Sequence, residues 1–253
     1  MTDLFSLDGR VAIVTGGAGQ IGAEIARGLE HQGARVAVFD LEAERFRVDV
    51  TNRAAIEEAT DEVVREFGHP HILVNAAALD SPPDAPPAEV GPVESYPEAS
   101  FDEIMNVNVK GTFLSCQLIG ARMAEAGRGS IVNISSIYGM LSPVQELYDF
   151  RRTEGETFVK PIAYSVSKSA LYNLTRYLAT YWAKSGVRVN TLTLAGVWND
   201  QPQEFLEAYT ARMPIGRMAA AEEVVGPVVF LASDASSYVT GSNVVVDGGW
   251  SAW

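Results

Sequence analysis

Tyr164 and Lys168 stand four positions apart in residues 162–184, where apolar residues recur with the period of an α-helix. Their side chains should therefore lie on one side of that helix, about one turn apart. The pKa of a tyrosine is near 10, so ionising it near neutral pH requires roughly 3 to 4 kcal/mol of stabilisation. A cation about 4 Å away in a partly buried site supplies that much. The pair could thus move a proton, although the same spacing also occurs in ordinary surface contacts.

A glycine-rich turn near the start of the chain has the parts of a dinucleotide site. The apolar run Val11 to Val14 predicts a strand that is buried on both faces, and the turn Thr-Gly-Gly-Ala-Gly-Gln-Ile-Gly, residues 15–22, follows it directly. Glycines let the backbone approach a pyrophosphate, and the start of the next helix offers free N–H groups and the positive end of its dipole. The alternative is a tight connection that binds nothing.

Asp40 ends the second predicted strand, Val36 to Phe39, eighteen residues beyond Gly22. A carboxylate in this place accepts both hydroxyls of a ribose and repels a 2′-phosphate, which favours NAD over NADP. Arg45 and Arg47 are close enough in the sequence to leave NADP open.

The order of strands and helices predicts a doubly wound α/β fold, a three-layer Rossmann-like arrangement around a parallel sheet. We expect a single domain over residues 1–253, with seven strands in the order 3-2-1-4-5-6-7. Only eight residues separate Asp40 from Asp49, whereas a helical crossover takes at least about 10 to 12. The crossover between the second and third strands is therefore truncated, and Phe46 to Val48 becomes a short edge strand.

Charge and composition limit the partners. A formal net charge of -13 disfavours nucleic acid and anionic membranes, because no basic excess is present to replace counterions. No apolar run approaches the roughly 20 residues of a membrane span, and residues 1–10 lack the features of a secretion signal. We expect a cytoplasmic protein with no metal site, and its one cysteine, Cys116, excludes an internal disulfide.

Motifs along the whole chain resemble the short-chain dehydrogenase/reductase family. They are Thr15-Gly16 through Gly22, Asp49-Val50, Asn75-Ala76, Asn108, Ser136, Tyr164 with Lys168, Asn190, Gly216-Arg217 and Val246-Asp247-Gly248-Gly249. Agreement in one motif arises easily by chance, whereas agreement in all of them in order does not. The resemblance implies a nicotinamide-dependent oxidoreductase that self-associates, commonly as a homotetramer built on residues 100–125 and 162–184.

The resemblance also implies roles for four residues. Tyr164 would be the general acid/base that exchanges a proton with the substrate oxygen while hydride moves to or from the nicotinamide. Lys168 would lower the pKa of Tyr164 and hold the nicotinamide ribose, and Ser136 would orient the substrate oxygen. Asn108 would bend its helix and hold a water of a proton relay. The structural alternatives are a strand-end cap for Ser136 and a helix kink for Asn108.

By the same resemblance, the cofactor contacts come from every predicted turn at the carboxyl edge of the sheet. They are Gly16, Gly19, Gln20, Ile21, Gly22, Asp40, Asp49, Val50, Asn75, Ala76, Ala77, Tyr164, Lys168, Val197 and Asn199. The chain departs from the family where Gln20 replaces the middle glycine, Ala77 replaces another glycine, and Leu194-Ala195 replaces Pro-Gly. These departures affect the pyrophosphate and nicotinamide contacts and leave the hydride chemistry unchanged.

The segment between Ser136 and Tyr164 is about twice as long as is usual in the family. The added residues, about 142–161, are anchored at the rim of the site and are predicted to cover the substrate, opposite a helix at about 200–213. Their polarity disfavours a steroid or a long acyl chain. The candidate substrate contacts are Ser136, Tyr164, Arg151, Arg152 and Trp198, where the two arginines would bind an anion. Alternatively, these arginines pair with Glu154 and Glu156.

We therefore expect an NAD-dependent enzyme that interconverts a secondary alcohol and a ketone. Its substrate would be a small polar molecule such as a sugar, a sugar acid or an activated sugar. One alternative is a reductase of a smaller or less polar ketone or 3-oxo compound, in which the insertion serves subunit contacts. The other is a catalytically silent NAD-binding scaffold, which would be expected to have lost some of the four catalytic residues.

Overall fold

Six parallel strands form one sheet in the computed structural model, which describes residues 3–80, 89–153 and 158–253, with the backbone alone for residues 152 and 153. The strands are β1 (Val11–Thr15), β2 (Arg35–Phe39), β3 (Ile72–Asn75), β4 (Gly129–Ser136), β5 (Val187–Leu194) and β6 (Asn243–Val246), in the order β2-β1-β3-β4-β5-β6. Every residue of β1 and β3 is buried, as expected for a parallel sheet covered on both faces. The predicted doubly wound, Rossmann-like class is confirmed.

The seventh strand, predicted at Phe46 to Val48, is wrong. These residues contribute only an isolated parallel bridge between Asp40 and Arg47. The Asp40 amide donates to the Phe46 carbonyl at 3.3 Å, and the Val48 amide donates to the Asp40 carbonyl at 3.0 Å. Because the connection is too short for a helix, the chain returns beside the end of β2 for one bridge and then enters the next helix. The observed strand order is the predicted one without that edge strand.

Nine α-helices are present in the described ranges. They are α1 (Gln20–His31), α2 (Arg53–Phe67), α3 (Glu98–Met105), α4 (Thr112–Glu125), α5 (Ile137–Met140), α6 (Asp149–Thr153), α7 (Ile162–Trp182), α8 (Gln203–Thr210) and α9 (Val225–Ala232). Buried residues of α1 and α9 pack on one face of the sheet, and those of α2, α4 and α7 pack on the other. Across the part of the chain that the structure covers, none of these helices has the length and apolarity needed to cross a membrane.

A third apolar cluster joins the insertion to α8 and to the end of the chain. Tyr148 packs against Phe158 at 4.6 Å and against Phe205 at 5.5 Å between ring centroids. Tyr209 stacks on Phe205 at 5.4 Å and on Trp250 at 4.6 Å. This row of aromatic rings fixes the described part of the insertion against α8, so both segments are part of one packed wall.

Candidate active site

The glycine-rich turn is closely packed against the end of β3. Gly16 has a φ of +68°, and a Cβ there would lie 2.6 Å from the backbone nitrogen of Ala77. At Gly22 a Cβ would lie 2.0 Å from the carbonyl oxygen of Gly16. Helix α1 follows Gly19 without a side-chain cap, so its first amides remain available to phosphate oxygens. The turn therefore fits a pyrophosphate, as the sequence predicts.

Gln20 connects this turn to the segment that follows β5. Its Nε2 donates to the carbonyl oxygen of Trp198 at 2.6 Å. The Trp198 amide in turn donates to the carbonyl of Ala219 at 2.8 Å, and Val197 forms an isolated bridge with the same residue. Residues 197–199 thus lie beside the turn, where the sequence places Val197 and Asn199 as cofactor contacts. The replacement of a glycine by Gln20 provides this tether, which a glycine could not form.

Asp40 lies directly beside the glycine-rich turn. Its Oδ2 accepts a hydrogen bond from the Ala18 amide at 3.0 Å, and its Oδ1 accepts one from the Glu42 amide at 3.0 Å. Each oxygen has further lone pairs with which to accept ribose hydroxyls.

The two arginines that leave NADP open differ in their placement. Arg45 forms ion pairs with Glu62, at 3.2 Å, and with Glu66, both on α2. Its guanidinium also lies over the Phe46 ring, 4.8 Å from the centroid. Arg47 is exposed and is the bridge partner of Asp40. Arg45 is therefore already bound to α2, whereas Arg47 is paired with Asp40 through the backbone bridge.

The other predicted cofactor residues have different surroundings. Asp49 accepts two hydrogen bonds from Thr51, from its amide and its hydroxyl, at 2.8 Å each. Val50 is buried against Gly111, where a Cβ would lie 2.7 Å from Val50 Cγ2. The side chain of Asn75 is buried and donates to Asn133 Oδ1 at 2.8 Å. Ala76 and Ala77, which follow Asn75 at the end of β3, are partly exposed at the edge of the sheet.

Tyr164 and Lys168 come together on α7. Lys168 is 5% exposed, and its Nζ donates to the carbonyl of Ile134 at 3.1 Å. The same Nζ lies 5.7 Å from the centroid of the Tyr164 ring. Burial lowers the pKa of Lys168 to about 8, while the Asp80 carboxylate acts to raise it. Lys168 therefore changes its charge in the pH range in which such a pair would work.

The surroundings of Tyr164 in the protein favour its neutral, protonated form. Burial is the main cause that raises the pKa of Tyr164 above its ordinary value, and the negative charge of Asp80 raises it further. A hydrogen bond with Ser136 acts in the opposite direction and lowers the pKa. A phenol in this state can donate a proton, and its use as a base requires added positive charge near the ring.

Ser136 ends β4 and caps α5. Its Oγ accepts a hydrogen bond from the Tyr138 amide at 3.2 Å, which leaves the hydroxyl proton able to donate. Tyr172 donates to the carbonyl of Ser136 at 3.1 Å, so the strand end is held from α7 as well. The strand-end cap and the hydrogen bond with Tyr164 thus occur together in one residue.

Asn108 lies in a π-helical turn, Asn106–Gly111, which connects α3 to α4. Its Oδ1 accepts from the Leu79 amide at 2.7 Å, and its Nδ2 donates to the Leu79 carbonyl at 2.9 Å. The same Nδ2 donates to Ser167 Oγ at 2.9 Å, on the helix that carries Tyr164. Asn108 therefore fixes the residues just after β3 against α7 from within a π-helical turn.

Lys160 and Asp80 reach the site without having been predicted there. Lys160 Nζ lies 2.7 and 2.8 Å from the two carboxylate oxygens of Asp80 and 5.0 Å from the Tyr164 ring centroid. The sequence signal is slight: Lys160 precedes Pro161, immediately before the first residue of α7. Asp80 comes five residues after the end of β3, at the start of a stretch rich in proline and acidic residues with no periodic pattern.

Of the predicted substrate contacts other than Ser136 and Tyr164, the structure describes the side chains of Arg151 and Trp198. Arg151 in α6 lies over the Phe158 ring, 4.3 Å from its centroid, so its guanidinium contacts the aromatic wall. The side chain of Arg152 lies outside the described residues, as do Glu154 and Glu156. Trp198 is 45% exposed. A cavity of about 450 Å³ lies along the outer side of the first turns of α7, between Lys160, Gln145 and Tyr96.

Together these features define a class of protein. A doubly wound parallel sheet carries a glycine-rich turn that runs into a helix, a carboxylate at the end of β2, and a tyrosine-lysine pair on α7. This is the arrangement of an oxidoreductase that uses a nicotinamide dinucleotide.

Comparison with known proteins names the family. A protein-family model described as enoyl-(acyl carrier protein) reductase matches residues 16–251. The D-threitol dehydrogenase of Mycolicibacterium smegmatis is 35% identical over 97% of this chain and 94% of its own. The 3-alpha-(or 20-beta)-hydroxysteroid dehydrogenase of Mycobacterium tuberculosis is 35% identical over 96% and 90%. The chain belongs to the short-chain dehydrogenase/reductase family, as its motifs predict.

Solved structures agree with this assignment. The gluconate 5-dehydrogenase of Burkholderia cenocepacia, solved with NADP and tartrate, superimposes with a TM-score of 0.82. It is 27% identical, and the match covers 99% of this chain and 98% of that one. Other similar structures hold NAD+. Both cofactors therefore occur among the relatives.

Proposed function

We propose that this protein oxidises a secondary alcohol to a ketone, or catalyses the reverse reaction, with NAD(H) and a polyol or a sugar-related substrate. The observation that carries the proposal is the group formed by Tyr164, Lys168 and Ser136 at the carboxyl edge of the sheet. The glycine-rich turn follows β1 and Ser136 ends β4 of the same parallel sheet, so both lie at its carboxyl edge, and this supports an acid/base beside a dinucleotide site.

The chain supplies the proton transfer, and the bound cofactor supplies the hydride acceptor at its nicotinamide ring. In the oxidation, Tyr164 Oη takes the proton of the substrate hydroxyl as the hydride leaves the carbon that bears this hydroxyl. Ser136, whose hydroxyl remains able to donate, orients the substrate oxygen. Lys168, with its ammonium 5.7 Å from the ring centroid, stabilises the phenolate form of Tyr164 and would hold the nicotinamide ribose. In the reduction the same tyrosine donates its proton to the carbonyl oxygen.

Asp40 supports NAD as the cofactor. Its carboxylate is next to the turn that would hold the pyrophosphate, and a 2′-phosphate placed there would meet a negative charge. Arg45 is paired with two carboxylates of α2 and would have to give up these ion pairs to compensate that charge. Because one relative was solved with NADP, the cofactor is part of the proposal and of its test.

Two observations favour different substrates. The relatives named for D-threitol, gluconate and galactitol indicate a polyhydroxylated substrate. The inner side of the insertion, however, is aromatic, with Tyr148 and Phe158 packed towards α8, and one relative is named as a hydroxysteroid dehydrogenase. A less polar hydroxy compound is therefore the second candidate. We favour the polyol because three of the relatives are named for polyhydroxylated compounds and the other observations do not require an apolar substrate.

The test is a substrate panel read as NADH or NADPH formation. D-threitol, galactitol, gluconate and glycerol represent the first candidate, and a 3-alpha-hydroxysteroid represents the second. We expect turnover with NAD on at least one polyol or sugar acid, and a kcat/KM with NADP lower by about tenfold or more. Turnover of the steroid alone would replace the first candidate by the second. A protein that binds NAD and turns over none of these compounds would contradict the proposal.

A further inference from the structure

Lys160 is held in a fixed place next to Tyr164. Its side chain is only 11% exposed, and its ammonium contacts both carboxylate oxygens of Asp80, at 2.7 and 2.8 Å. Its backbone amide donates to Gln145 Oε1 at 3.0 Å. The ammonium lies 5.0 Å from the centroid of the Tyr164 ring. A lysine with so little solvent and three hydrogen bonds has a single preferred position.

We infer that Lys160 is a positioning residue for proton transfer: its ammonium, held by Asp80, is a second cation acting on Tyr164, and the pair sets the pH at which that tyrosine ionises. The inference rests on the proposed role of Tyr164. It assigns a role to the insertion that differs from covering the substrate, because Lys160 belongs to the residues that lengthen the segment between Ser136 and Tyr164.

The two lysines approach the Tyr164 ring from different parts of the fold. Lys168 comes from α7 itself and is bound to the Ile134 carbonyl of the sheet. Lys160 comes from the insertion, with its ammonium 5.0 Å from the ring centroid against 5.7 Å for Lys168. Because burial lowers the pKa of Lys168 to about 8, Lys168 supplies only part of a positive charge near that pH. The Lys160 ammonium, at a similar distance from the ring centroid, supplies the remaining positive charge.

Asp80 acts in the opposite sense to Lys160. Its carboxylate raises the pKa of both Tyr164 and Lys168. Asp80 holds the Lys160 ammonium beside the ring, and the negative charge of Asp80, which raises the pKa of Tyr164 even with this ion pair formed, opposes the effect of that ammonium. The charged and titratable groups that face Tyr164 are Asp80 from the segment after β3, Lys160 from the insertion, Tyr138 from α5, and Lys168 and Tyr172 from α7.

The competing account is a purely structural ion pair that fastens the insertion to the segment after β3. Both accounts predict some loss of stability when Lys160 is removed. They differ in the pH dependence of the reaction, because only a charge acting on Tyr164 moves its ionisation. Substitutions that keep the charge and those that keep the shape can therefore separate the two accounts.

The experiment compares Lys160→Met, Lys160→Arg, Asp80→Asn and the double variant Lys160→Met/Asp80→Asn. For each, kcat/KM of alcohol oxidation is measured against pH. Oxidation requires the deprotonated tyrosine, and loss of a nearby cation disfavours that form. We expect Lys160→Met to shift the acidic limb of the pH profile to higher pH by about one unit. Asp80→Asn should shift this limb to lower pH, and Lys160→Arg should leave its position unchanged. The double variant should return the limb towards its position in wild type.

A second readout does not depend on turnover. The ultraviolet absorbance of tyrosinate is titrated with saturating NAD, whose positive charge lowers the pKa of Tyr164, in each variant and in the same variant carrying Tyr164→Phe, and the difference gives the ionisation of Tyr164. If wild type turns over no alcohol while Lys160→Met still raises the pKa of Tyr164 in this titration, the proposed function fails, whereas the inferred effect of Lys160 on the ionisation of Tyr164 stands. If Lys160→Met leaves it unchanged, or if Lys160→Arg shifts it as far as Lys160→Met does, the inference is overturned.

Discussion

Tyr164 is subject to opposing influences within a few ångströms. Burial and the Asp80 carboxylate raise its pKa, a hydrogen bond with Ser136 lowers it, and Lys160 and Lys168 place their ammonium groups 5.0 and 5.7 Å from its ring centroid. A buried phenol surrounded in this way changes its state when one charge is added or removed. The site is therefore suited to a proton transfer that begins only after a cationic cofactor has bound.

The cofactor preference should depend on Asp40. Asp40→Ser removes the negative charge beside the turn, so we expect the ratio of kcat/KM with NAD to that with NADP to fall by about tenfold or more, or about 1.4 kcal/mol. Steady-state kinetics with both cofactors measures this ratio. Arg45→Met is the matched control, because Arg45 is bound to Glu62 and Glu66 and should leave the ratio unchanged. A ratio that follows Arg45 and ignores Asp40 would contradict the proposed ribose site.

Lys168 should lower the stability of the protein at neutral pH. Its folded pKa of about 8 lies below the ordinary 10.5, so between these values the unfolded chain binds more protons and the free energy of unfolding rises with pH. We expect Lys168→Met to be more stable than wild type by about 2 kcal/mol at pH 7, after allowing for the lost hydrogen bond to Ile134.

The measurement is urea denaturation of both proteins at several pH values from 7 to about 10. The stability difference should shrink steadily across this range, because wild type recovers the cost of burying the ammonium as Lys168 loses its proton. Other titrating groups are common to both proteins and cancel in the difference. A difference that does not change with pH would show that Lys168 is not titrating near pH 8.

Residues close in sequence could be predicted, and residues brought together by the fold could not. Tyr164 and Lys168 are one helical turn apart, so a helical pattern alone places them together. Asp80 and Lys160 are eighty residues apart, and each lies next to residues with no periodic pattern. Their ion pair depends on how the insertion folds back over the end of β3, which no spacing rule specifies.

At the level of elements, the strands follow from short apolar runs. The predicted runs Val11 to Val14 and Val36 to Phe39 both occur in the sheet, as β1 and β2, each extended by one residue. The failure at Phe46 to Val48 has a physical cause. These residues are buried in part, as the apolar pattern predicts, but only one bridge to Asp40 forms before the chain turns at Asp49. Burial without a partner strand of sufficient length does not make a strand.

The insertion should be positioned by its aromatic contacts. Phe158→Ala removes the ring that packs on Tyr148 and lies under Arg151, and a buried phenylalanine contributes about 3 kcal/mol or more. Because this contact holds the insertion against α8, we expect the KM for the alcohol to rise while the KM for NAD stays the same. Steady-state kinetics with each substrate varied in turn measures the two constants.

Leu141→Ala is the control for the insertion, because Leu141 lies at the start of the same segment with an exposed side chain. It should leave both Michaelis constants close to those of wild type. If Phe158→Ala raises the KM for NAD and leaves the KM for the alcohol unchanged, the aromatic wall serves the cofactor side of the site. The predicted place of the insertion over the substrate would then be wrong.

At the level of the whole molecule, two long helices present apolar residues to solvent. On α7, Tyr177 and Tyr181 are 65% and 67% exposed, and their rings stack with centroids 6.2 Å apart. On the neighbouring α4, Phe113 is also exposed. Large apolar residues exposed on a helix surface, such as the stacked Tyr177 and Tyr181, are typical of an interface. This supports the homotetramer that the family resemblance implies.

We expect the protein to sediment as an oligomer at micromolar concentration, and Tyr177→Asp with Tyr181→Asp to produce smaller species. Two charges placed in an apolar interface would be buried without partners, which disfavours association. Leu41→Asp is the control, because Leu41 is exposed at the opposite side of the sheet, beside the end of β2. Wild type that sediments as a monomer would contradict the proposal, as would a double variant that retains the full assembly.

The most direct test of the account is the Tyr164→Phe variant, assayed for turnover on the best substrate of the panel and for NAD binding by titration calorimetry. The substitution removes one oxygen and leaves the ring beside Lys160 and Lys168. The account predicts unchanged NAD affinity and a loss of kcat of about 10²-fold to 10⁴-fold, the usual contribution of a general acid/base. A variant that binds NAD normally and keeps most of its turnover would show that the proton is transferred by another group.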